Sequence, residues 1–308
     1  MIRRRAALAG LGASAWGGAR AAERKATLLV GATPGSRLDK TTRAIVPFLN
    51  RRWAQVELVP RNLPGEGGMT ALAALADSLP SGATLGWVAT PTLSARIVDR
   101  DGAALPRRLI LIGAVTREPV AFVSPPSAPV ESVRDLLRRA GEDADAVPLG
   151  TPPPGSPPHL AVLRLQAVTQ TRLTVVTFPS AAAARQAVLG GHVSAAALGL
   201  SDTIGPLRSG RLLGIGLAAR NRFGMLPDMP VLGEAGVPLA ASIRRGIAAP
   251  AGLPEEMAAR IAEILRETVA DPAFRGHADE AGFVPIWTEG RAWARIMETA
   301  RTDLARMW

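Results

Sequence analysis

A serine and a histidine that could do chemistry lie in the proline-rich segment TPPPGSPPH, residues 151–159. Ser156 and His159 are close enough in sequence to form a nucleophile and a base. However, no carboxylate lies near them in sequence, and the chain has no G-x-S-x-G turn. We therefore expect no catalytic residue and no enzymatic activity, with a hydrolase that uses Ser156 and His159 as an alternative.

The prolines around these residues predict a rigid ligand-binding loop. Pro157 and Pro158 suit the first turn of a helix, because a backbone N–H there has no helical partner. Gly155 permits a ligand to approach the backbone closely. Ser156 either caps the helix or offers its hydroxyl to a ligand. Rigid neighbours lower the entropy cost of presenting these groups, so the segment fits one half of an anion site.

A second candidate is the segment GATPGSRLDK, residues 31–40, in which a strand-like run leads through Pro-Gly-Ser into a helix. Free N–H groups at a helix start, together with the helix dipole, attract an anion. Asp39 falls in the first turn, where the dipole favours a carboxylate. Arg37 could pair with a ligand carboxylate, although we expect it to point to solvent. An ordinary strand-to-helix turn is the alternative interpretation.

Three further strand ends carry small or flexible residues. RNLPGEGGMT (61–70) has three glycines in four positions, which predicts unusual backbone geometry before a helix. It lacks the lysine of a phosphate loop, so we do not expect nucleotide binding. WVATPT (87–92) ends a strand in small polar residues and a proline, at the edge where α/β proteins bind ligands. In FPSAAAARQA (178–187) a strand is followed by small side chains, which either leave room for a ligand or simply favour a helix. Together these strand ends favour a small anion held by backbone donors.

The composition excludes several classes of site. The chain has 308 residues, a formal charge of +10 and no cysteine. Disulfides, thiolate metal sites and cysteine nucleophiles are therefore excluded. The arginines are scattered and do not alternate with aromatic residues, so we expect no nucleic-acid partner. The three histidines, His159, His192 and His277, have no ligand-like spacing, and we expect no metal and no cofactor.

The N-terminus has the pattern of an export signal. A basic MIRRR start is followed by a short apolar run over residues 6–18 and by the sequence Ala19-Arg20-Ala21, an A-x-A cleavage site. Residues 1–21 are therefore predicted to be a signal peptide, and the mature chain would begin at Ala22 in the periplasm. The arginine run leaves Sec and Tat export both open. No other run has the length and apolarity of a membrane helix, so we expect no membrane insertion after processing.

Strand-like apolar runs alternate with runs of helical period, which predicts an α/β fold. Pro47 is expected to kink or break the first helix. The predicted strands are residues 26–31, 56–61, 84–90, 109–115, 120–125, 173–178, 193–199, 212–219 and 243–250, and residues 146–150 are also strand-like. The predicted helices begin near residues 38, 69, 131, 159, 181, 255 and 291.

The length of the mature chain predicts two lobes. Removing 21 residues from 308 leaves 287, which is at the upper limit for one hydrophobic core. We expect the chain to cross between lobes near residues 118–122 and 244–248. Lobe 1 would comprise residues 22–121 and 245–308, and lobe 2 residues 122–244. The flexible strand ends of both lobes would then face one cleft.

A series of motifs, in a fixed order, resembles one family over essentially the whole mature chain. They read TPGSRLD, NLPGEGG, PSGAT and GSPPH, followed by LGGHV, SGRL, RFGMLPDMPVLGEAG (222–236) and APAGLPEEM (249–257). The long R-x-x-x-L-P-D-x-P-x-x-x-E-A-G pattern is the most specific of them. The chain resembles the substrate-binding components of tripartite tricarboxylate transporters, the Bug family.

The resemblance implies a type II periplasmic-binding-protein fold, in which two α/β lobes joined by crossing strands surround a ligand cleft. It implies a small carboxylate ligand, membrane transporter subunits as partners, and a monomer. By position, the implied ligand-binding residues are Thr33, Gly35, Ser36, Asp39, Ala89, Thr90, Gly155, Ser156, His159, Phe178, Ser180 and Ala182. A periplasmic sensor that hands its ligand-bound form to a signalling kinase is the alternative.

The sequence departs from the family pattern in ways that affect the ligand. Ser36 replaces the second glycine of the first loop, and residues 178–180 replace a Tyr-Lys/Arg-Gly segment. Ser194 and Leu198 stand where the family has a pair of aspartates. The part of the cleft around the distal end of the ligand should therefore be less polar than usual. We expect monocarboxylates or apolar-tailed dicarboxylates to be preferred over citrate and amino acids.

Overall fold

The computed structural model of the chain describes residues 24–99, 102–127 and 129–307. The predicted signal peptide lies outside the described residues. Among the described helices, none combines the length and the apolarity needed to cross a bilayer.

Ten strands and eleven helices make up the described part of the chain. The strands are β1 (Arg24–Val30), β2 (Val56–Asn62), β3 (Thr84–Thr90), β4 (Leu109–Ser124), β5 (Leu149–Thr151), β6 (Val175–Thr177), β7 (Ala195–Gly199), β8 (Leu213–Ala218), β9 (Ser242–Pro250) and β10 (Val284–Glu289). The helices are α1 (Arg37–Arg52), α2 (Met69–Ala76), α3 (Thr92–Asp99), α4 (Leu105–Arg108), α5 (Val133–Glu142), α6 (Pro157–Thr169), α7 (Ala181–Leu189), α8 (Leu200–Arg208), α9 (Glu255–Ala270), α10 (Pro272–Ala281) and α11 (Gly290–Met307).

The strands form one continuous sheet in the order β2-β1-β3-β9-β4-β7-β5-β6, with β8 and β10 also pairing with β4. At one end β1 pairs in parallel with β2 and β3, and at the other β5 pairs in parallel with β6 and β7. The strands β4 and β9 pair antiparallel with each other in the middle. The parallel groups are therefore joined only through the antiparallel centre of the sheet.

Strand β4 passes from one group of strands to the other. Residues 109–119 pair with β9, while residues 120–124 pair with β7 and β8. The sequence predicted two strands with a break around residues 116–119, and this prediction is wrong. The strand continues because the charge of Glu118 is paired inside the protein and because Pro119 still aligns with Ser242 of β9.

The hydrophobic core divides into two regions. One is formed by β1–β3, β9, β10 and the helices α1–α4 and α9–α11, which we call lobe 1. The other is formed by β5–β8 and the helices α5–α8, which we call lobe 2. Strand β4 contributes Ile112, Ala114 and Val115 to the first and residues 120–123 to the second.

The helical pattern locates most helices well. Helix α9 begins at the predicted residue, Glu255. Pro47 does not end α1, which continues to Arg52. The proline is on the exposed side of the helix, where water can bind the carbonyl oxygen that loses its helical N–H partner. The sequence prediction missed α3, α4, α8, α10 and β10.

A small contact joins the lobes along one side. Ala95 of α3 and Leu304 of α11 pack against Leu160 of α6. Beside them, the Arg164 guanidinium lies 3.4 Å from a carboxylate oxygen of Asp303. Helix α6 of lobe 2 is thereby held against lobe 1 by apolar and ionic contacts together.

The close approach of β4 and β9 leaves no room for a side chain at Gly246, which can be tested by substitution. A Cβ atom added there would lie 2.0 Å from the carbonyl oxygen of Gly113 and 2.5 Å from the Cα atom of Ala114. Backbone atoms cannot yield as a flexible side chain does, so Gly246→Ala should destabilise the protein by about 1–3 kcal/mol or more. Differential scanning calorimetry measures the change.

Gly276→Ala is the matched control. Gly276 is an exposed residue inside α10, and an added Cβ atom there meets nothing within 4 Å. Alanine in a helix interior should stabilise the protein by about 0.5–1 kcal/mol. Equal melting temperatures for the two variants would contradict the close approach of β4 and β9.

Candidate functional site

A cavity of about 330 Å³ lies between lobe 1 and lobe 2, and we call it the cleft cavity. Most of its wall is apolar or glycine. The lobe 1 residues are Leu29, Gly31, Ala32, Arg37, Leu38, Gly67, Gly68, Ala71, Leu72, Leu75, Gly86, Trp87, Val88, Ala89, Thr92, Leu93, Arg96, Ile243 and Arg245. The lobe 2 residues are Pro152, Ser156, Pro157, Pro158, Ala181, Gly199 and Asp202.

Two similar Pro-Gly-Ser turns approach the cleft cavity, one from each lobe. Gly35 precedes α1 with φ of 77°, and Gly155 precedes α6 with φ of 76°. Glycine is the residue that adopts this left-handed backbone without strain. In each turn the following serine is the N-cap of the helix. The same local geometry thus starts a helix on both sides of the cleft.

The amides of the first turn are already bonded within the turn. The Gly35 N–H donates to the Asp39 carboxylate over 2.8 Å, and the Ser36 N–H donates to the Thr33 carbonyl over 3.2 Å. Asp39 is buried and also accepts from Arg43 and Asn62. Burial alone would raise the pKa of Asp39, but these hydrogen bonds hold it below the ordinary value of 3.8. This carboxylate shapes the loop.

The second turn is built in the same way with a neutral acceptor. The Gly155 N–H donates to Nδ1 of His159 over 3.4 Å, and the Ser156 N–H donates to the Pro153 carbonyl over 3.0 Å. Burial lowers the pKa of His159 below its ordinary 6.5, so the imidazole is neutral at neutral pH and Nδ1 can accept. His159 therefore shapes its loop as Asp39 shapes the first.

The two N-cap serines differ in what their hydroxyls do. The Ser36 hydroxyl accepts from the Asp39 N–H over 3.3 Å. The Ser156 hydroxyl is buried and has no hydrogen-bond partner among the described residues. Ser156 also lines the cleft cavity. A buried hydroxyl without a partner is costly, so Ser156 is the polar group on the lobe 2 side best placed to bond a ligand.

The glycine-rich segment after β2 has the unusual backbone that the sequence predicted. Gly65, Gly67 and Gly68 have φ angles of 137°, 65° and 102°. A Cβ atom added at Gly68 would lie 3.2 Å from the carbonyl oxygen of Gly31. The loop therefore packs backbone against backbone at the wall of the cleft cavity.

Arg37 forms an ion pair across the cleft. Its guanidinium donates to the Asp202 carboxylate of α8 over 2.8 and 3.1 Å and to the Ser201 carbonyl over 2.8 Å. The expectation that Arg37 points to solvent is wrong, because α8 brings a carboxylate to it. Burial raises the pKa of Asp202 above its ordinary 3.8, and the Arg37 guanidinium opposes that rise.

A second ion pair lies at the base of the cleft. The Glu118 carboxylate of β4 accepts from Arg245 of β9 over 2.6 Å, and both side chains are buried. Its other oxygen accepts from the Ser201 N–H over 2.8 Å and the Ser201 hydroxyl over 2.6 Å. Since Arg245 and Asp202 line the cleft cavity, the two ion pairs form one network along its wall.

Arg96 of α3 adds another contact between the lobes. Its guanidinium donates to the Pro154 carbonyl over 3.2 Å. A Cβ atom added at Gly67 would lie 2.9 Å from Nη1 of Arg96. The guanidinium therefore lies between the glycine-rich loop of lobe 1 and the proline-rich loop of lobe 2, in the wall of the cleft cavity.

Most of the predicted loops reach the cleft cavity, but the residues that line it are often neighbours in sequence of the predicted ones. Of the twelve predicted ligand-binding residues, Ala89 and Ser156 line it. The other ten do not line it: Thr33, Gly35, Ser36, Asp39, Thr90, Gly155, His159, Phe178, Ser180 and Ala182. Ser180 is an exposed N-cap, and Thr90 is buried and accepts from Nε1 of Trp293.

Several lining residues were missed from the sequence. Asp202 lies at the start of a helix directly after β7, a position that sequence reasoning could have flagged as it did for Asp39. Trp87 lies inside β3, where only its register shows that it reaches the cavity wall. The indole Nε1 of Trp87 is buried without a partner among the described residues. No group of three acidic or histidine side chains suited to a metal ion occurs among the described residues.

Comparison with known sequences matches the chain to one family of receptors. Residues 42–305 match the model of the tripartite tricarboxylate transporter family receptor. A UPF0065 protein of Bordetella bronchiseptica is 28% identical over 274 residues, covering 87% of this chain and 78% of that protein. A UPF0065 protein of Cupriavidus necator is 22% identical over 92% of this chain and 86% of that protein.

Solved structures share the fold at low sequence identity. An adipate complex of a Rhodopseudomonas palustris protein superposes with a TM-score of 0.82 at 22% identity, covering 92% of this chain and 96% of that one. The periplasmic binding protein BugD gives a TM-score of 0.79 at 20% identity, with the same coverages. MatC from Rhodopseudomonas palustris, with bound malate, gives 0.79 at 21% identity, covering 92% and 98%. The fold is the predicted two-lobed periplasmic-binding-protein fold.

From the geometry of the turn before α6 we predict that the stability of the folded protein falls at acidic pH. The folded pKa of His159 lies below its unfolded value of 6.5. The stability that depends on the neutral ring is therefore present above pH 6.5 and is lost as pH falls through the lower folded pKa. Protonation of Nδ1 also removes the acceptor for the Gly155 N–H. We expect the melting temperature to fall between about pH 7.5 and 5.

His159→Asp is the informative variant, because Asp39 is the acceptor in the matching turn of lobe 1. The aspartate should keep an acceptor for Gly155 and remove titration near pH 6. Its melting temperature should fall less than that of the wild type over the same pH range. Parallel curves for the two proteins would show that His159 does not govern this turn.

Proposed function

The chain belongs to the tripartite tricarboxylate transporter receptor family, and on that premise we propose that it is a periplasmic solute-binding protein. It captures a small carboxylate in the cleft cavity and delivers it to the membrane subunits of a tripartite tricarboxylate-type transporter. The observation that carries this proposal is the cleft cavity between the two lobes, with arginines in a mostly apolar wall.

The charges in the wall favour a ligand with few carboxylates. Arg37 and Arg245 each face an acid, Asp202 and Glu118, so two of the cations are already neutralised. A ligand with three carboxylates would need more unpaired positive charge than these pairs leave. One carboxylate can share the Arg37 guanidinium with Asp202 and accept from the Ser156 hydroxyl.

The apolar wall favours a ligand with an apolar body. Leu29, Leu72, Val88 and Leu93 line the cavity without offering a polar group. Two structural neighbours are described with adipate and with malate bound. Of these two, adipate has a methylene chain, which an apolar wall buries favourably. The hydroxyl of malate would lose its hydrogen bonds to water against such a wall, which costs free energy.

The contacts across the cleft support capture by closure. Arg37 to Asp202 and Arg96 to Pro154 both join lobe 1 to lobe 2 at the cavity wall. A ligand that touches both walls adds contacts only when the lobes are together. It therefore shifts the population towards the closed form by its extra affinity for that form.

We also propose that the protein binds without turnover. Nδ1 of His159 is occupied by the Gly155 N–H, and His159 does not line the cavity. Ser156 therefore has no base aligned with it in the turn. Its unpartnered hydroxyl fits a hydrogen bond to ligand better than the role of a nucleophile.

The predicted processing and lobe boundaries belong to the same proposal. Removal of residues 1–21 would release the binding protein into the periplasm. The boundaries near residues 121 and 244 are supported by the division of the core and by strand β4, which pairs with lobe 1 strands up to Pro119 and with lobe 2 strands from Val120 onwards.

Isothermal titration calorimetry with adipate, hexanoate and citrate tests the ligand class. We expect adipate or hexanoate to bind in the cleft cavity, at the site that Ser156→Ala weakens, at least about tenfold more tightly than citrate binds there, a difference of about 1.4 kcal/mol. Tight citrate binding in the cleft with no binding of the apolar-chain acids would refute the proposed ligand class.

A matched pair of serine variants tests the site itself. Ser156→Ala removes the unpartnered hydroxyl in the cavity and should weaken binding of the preferred acid by about tenfold. Ser180→Ala removes an N-cap hydroxyl outside the cavity, so it should lower the melting temperature and leave the affinity unchanged. Equal affinities for both variants would place the ligand elsewhere.

A further inference from the structure

A second cavity, of about 680 Å³, lies on the other face of the crossing strands, and we call it the rear cavity. Side chains alternate between the two faces of a strand. In β9, Ile243 and Arg245 line the cleft cavity, whereas Ser242 and Arg244 line the rear cavity. The two cavities are therefore separated by the crossing strands.

Both lobes build the rear cavity. Lobe 1 contributes Thr90 and Pro91 at the end of β3 and one face of α11, including Thr299 and Asp303. Lobe 2 contributes α6, the last residue of β8, Ala218, and the segment that follows it, residues 219–223. The cavity is therefore a recess between the lobes, and an occupant would contact both.

Five arginines line this recess, and they differ in their partners. Arg164 pairs with Asp303 over 3.4 Å, and Arg222 pairs with Glu234 over 2.6 Å. Arg117, Arg220 and Arg244 have no carboxylate partner within the described part of the chain. Asp303 is the one acid in the described lining, and Arg164 already neutralises it.

Arg244 is the most constrained of the three. It is half-buried, and its guanidinium donates to the Ser242 hydroxyl over 2.9 Å. Its Nε is buried and has no hydrogen-bond partner among the described residues. Burial lowers the pKa of Arg244, and the charges of Arg117 and Arg220 lower it further. Three like charges thus share a recess in which the one described acid, Asp303, is already paired with Arg164.

We propose that the rear cavity binds a small anion that carries two or more negative charges on oxygen atoms, such as a polycarboxylate or a phosphate. Guanidinium groups pair with such oxygens in planar, two-point geometry. An anion between Arg117, Arg220 and Arg244 would neutralise their repulsion and give the Nε of Arg244 an acceptor. This site is independent of the proposed carboxylate site in the cleft cavity.

The shape of the recess favours a small molecule as the occupant. Its volume of about 680 Å³ lies in the range of about 300–1,000 Å³ that small-ligand pockets occupy. Its charge is concentrated on both lobes around one hollow.

Equilibrium dialysis with citrate and with pyrophosphate, on the purified protein at fixed ionic strength, tests the proposal. We expect saturable binding of at least one of them. The double variant Arg117→Gln, Arg244→Gln should weaken it by about a hundredfold or more, because each lost charged contact is worth at least about tenfold. The two probes distinguish a carboxylate from a phosphate preference.

Two controls make the result specific, and a third variant serves as a substitute. Arg211→Gln changes an exposed arginine outside the cavity that donates to the Ser209 hydroxyl, and it should bind the anion as the wild type does. Ser156→Ala, in the cleft cavity, should also leave anion binding unchanged. If the double variant does not fold, the single variant Arg220→Gln replaces it, because that side chain is exposed.

The proposal is overturned if neither anion binds at millimolar concentration, or if the double variant binds as tightly as the wild type. It is equally overturned if Ser156→Ala abolishes the binding, since the anion would then be in the cleft cavity. Binding of a glutamate-rich peptide without binding of citrate or pyrophosphate would assign the recess to an acidic protein partner instead.

Discussion

The carboxylate of Glu118 is the constraint around which the centre of the protein is organised. It is fully buried at the crossing of β4 and β9, and it accepts from Arg245, the Ser201 N–H and the Ser201 hydroxyl. Removing one partner of a buried pair leaves a charge in a poor solvent, at a cost of about 3–5 kcal/mol. A Cβ atom added at Gly199 would lie 2.4 Å from an oxygen of Glu118. The glycine that ends β7 is therefore required by the carboxylate beside it.

The cleft depends on this contact. Glu118 fixes the start of α8 because it accepts two hydrogen bonds from Ser201. Asp202, which follows Ser201, therefore reaches the cleft wall and pairs with Arg37 of lobe 1. One continuous network thus links the crossing strands, lobe 2 and the first helix of lobe 1. The same alternation of side chains sends Arg244 to the opposite face, so one pair of strands sets the charges of both cavities.

Much of the fold could be predicted from the sequence, and the site only to the level of its loops. Alternating apolar runs located most strands, and the 3.6-residue period located α9, because burial on one face leaves a periodic trace. The residue types of the glycine-rich and Pro-Gly-Ser turns predicted their backbone geometry correctly. The charge network left no such trace: Glu118 and Arg245 lie 127 positions apart, and only the tertiary fold brings them together. Pairing inside the protein also explains why β4 does not break at a charged, proline-containing segment.

Small-angle X-ray scattering tests most directly whether the cleft closes on a carboxylate. The radius of gyration of the purified protein should fall when adipate saturates it, because the closed form gains the contacts of both walls. The Ser156→Ala variant should need more adipate for the same change. A radius of gyration that stays unchanged at saturation would contradict capture by closure of the two lobes.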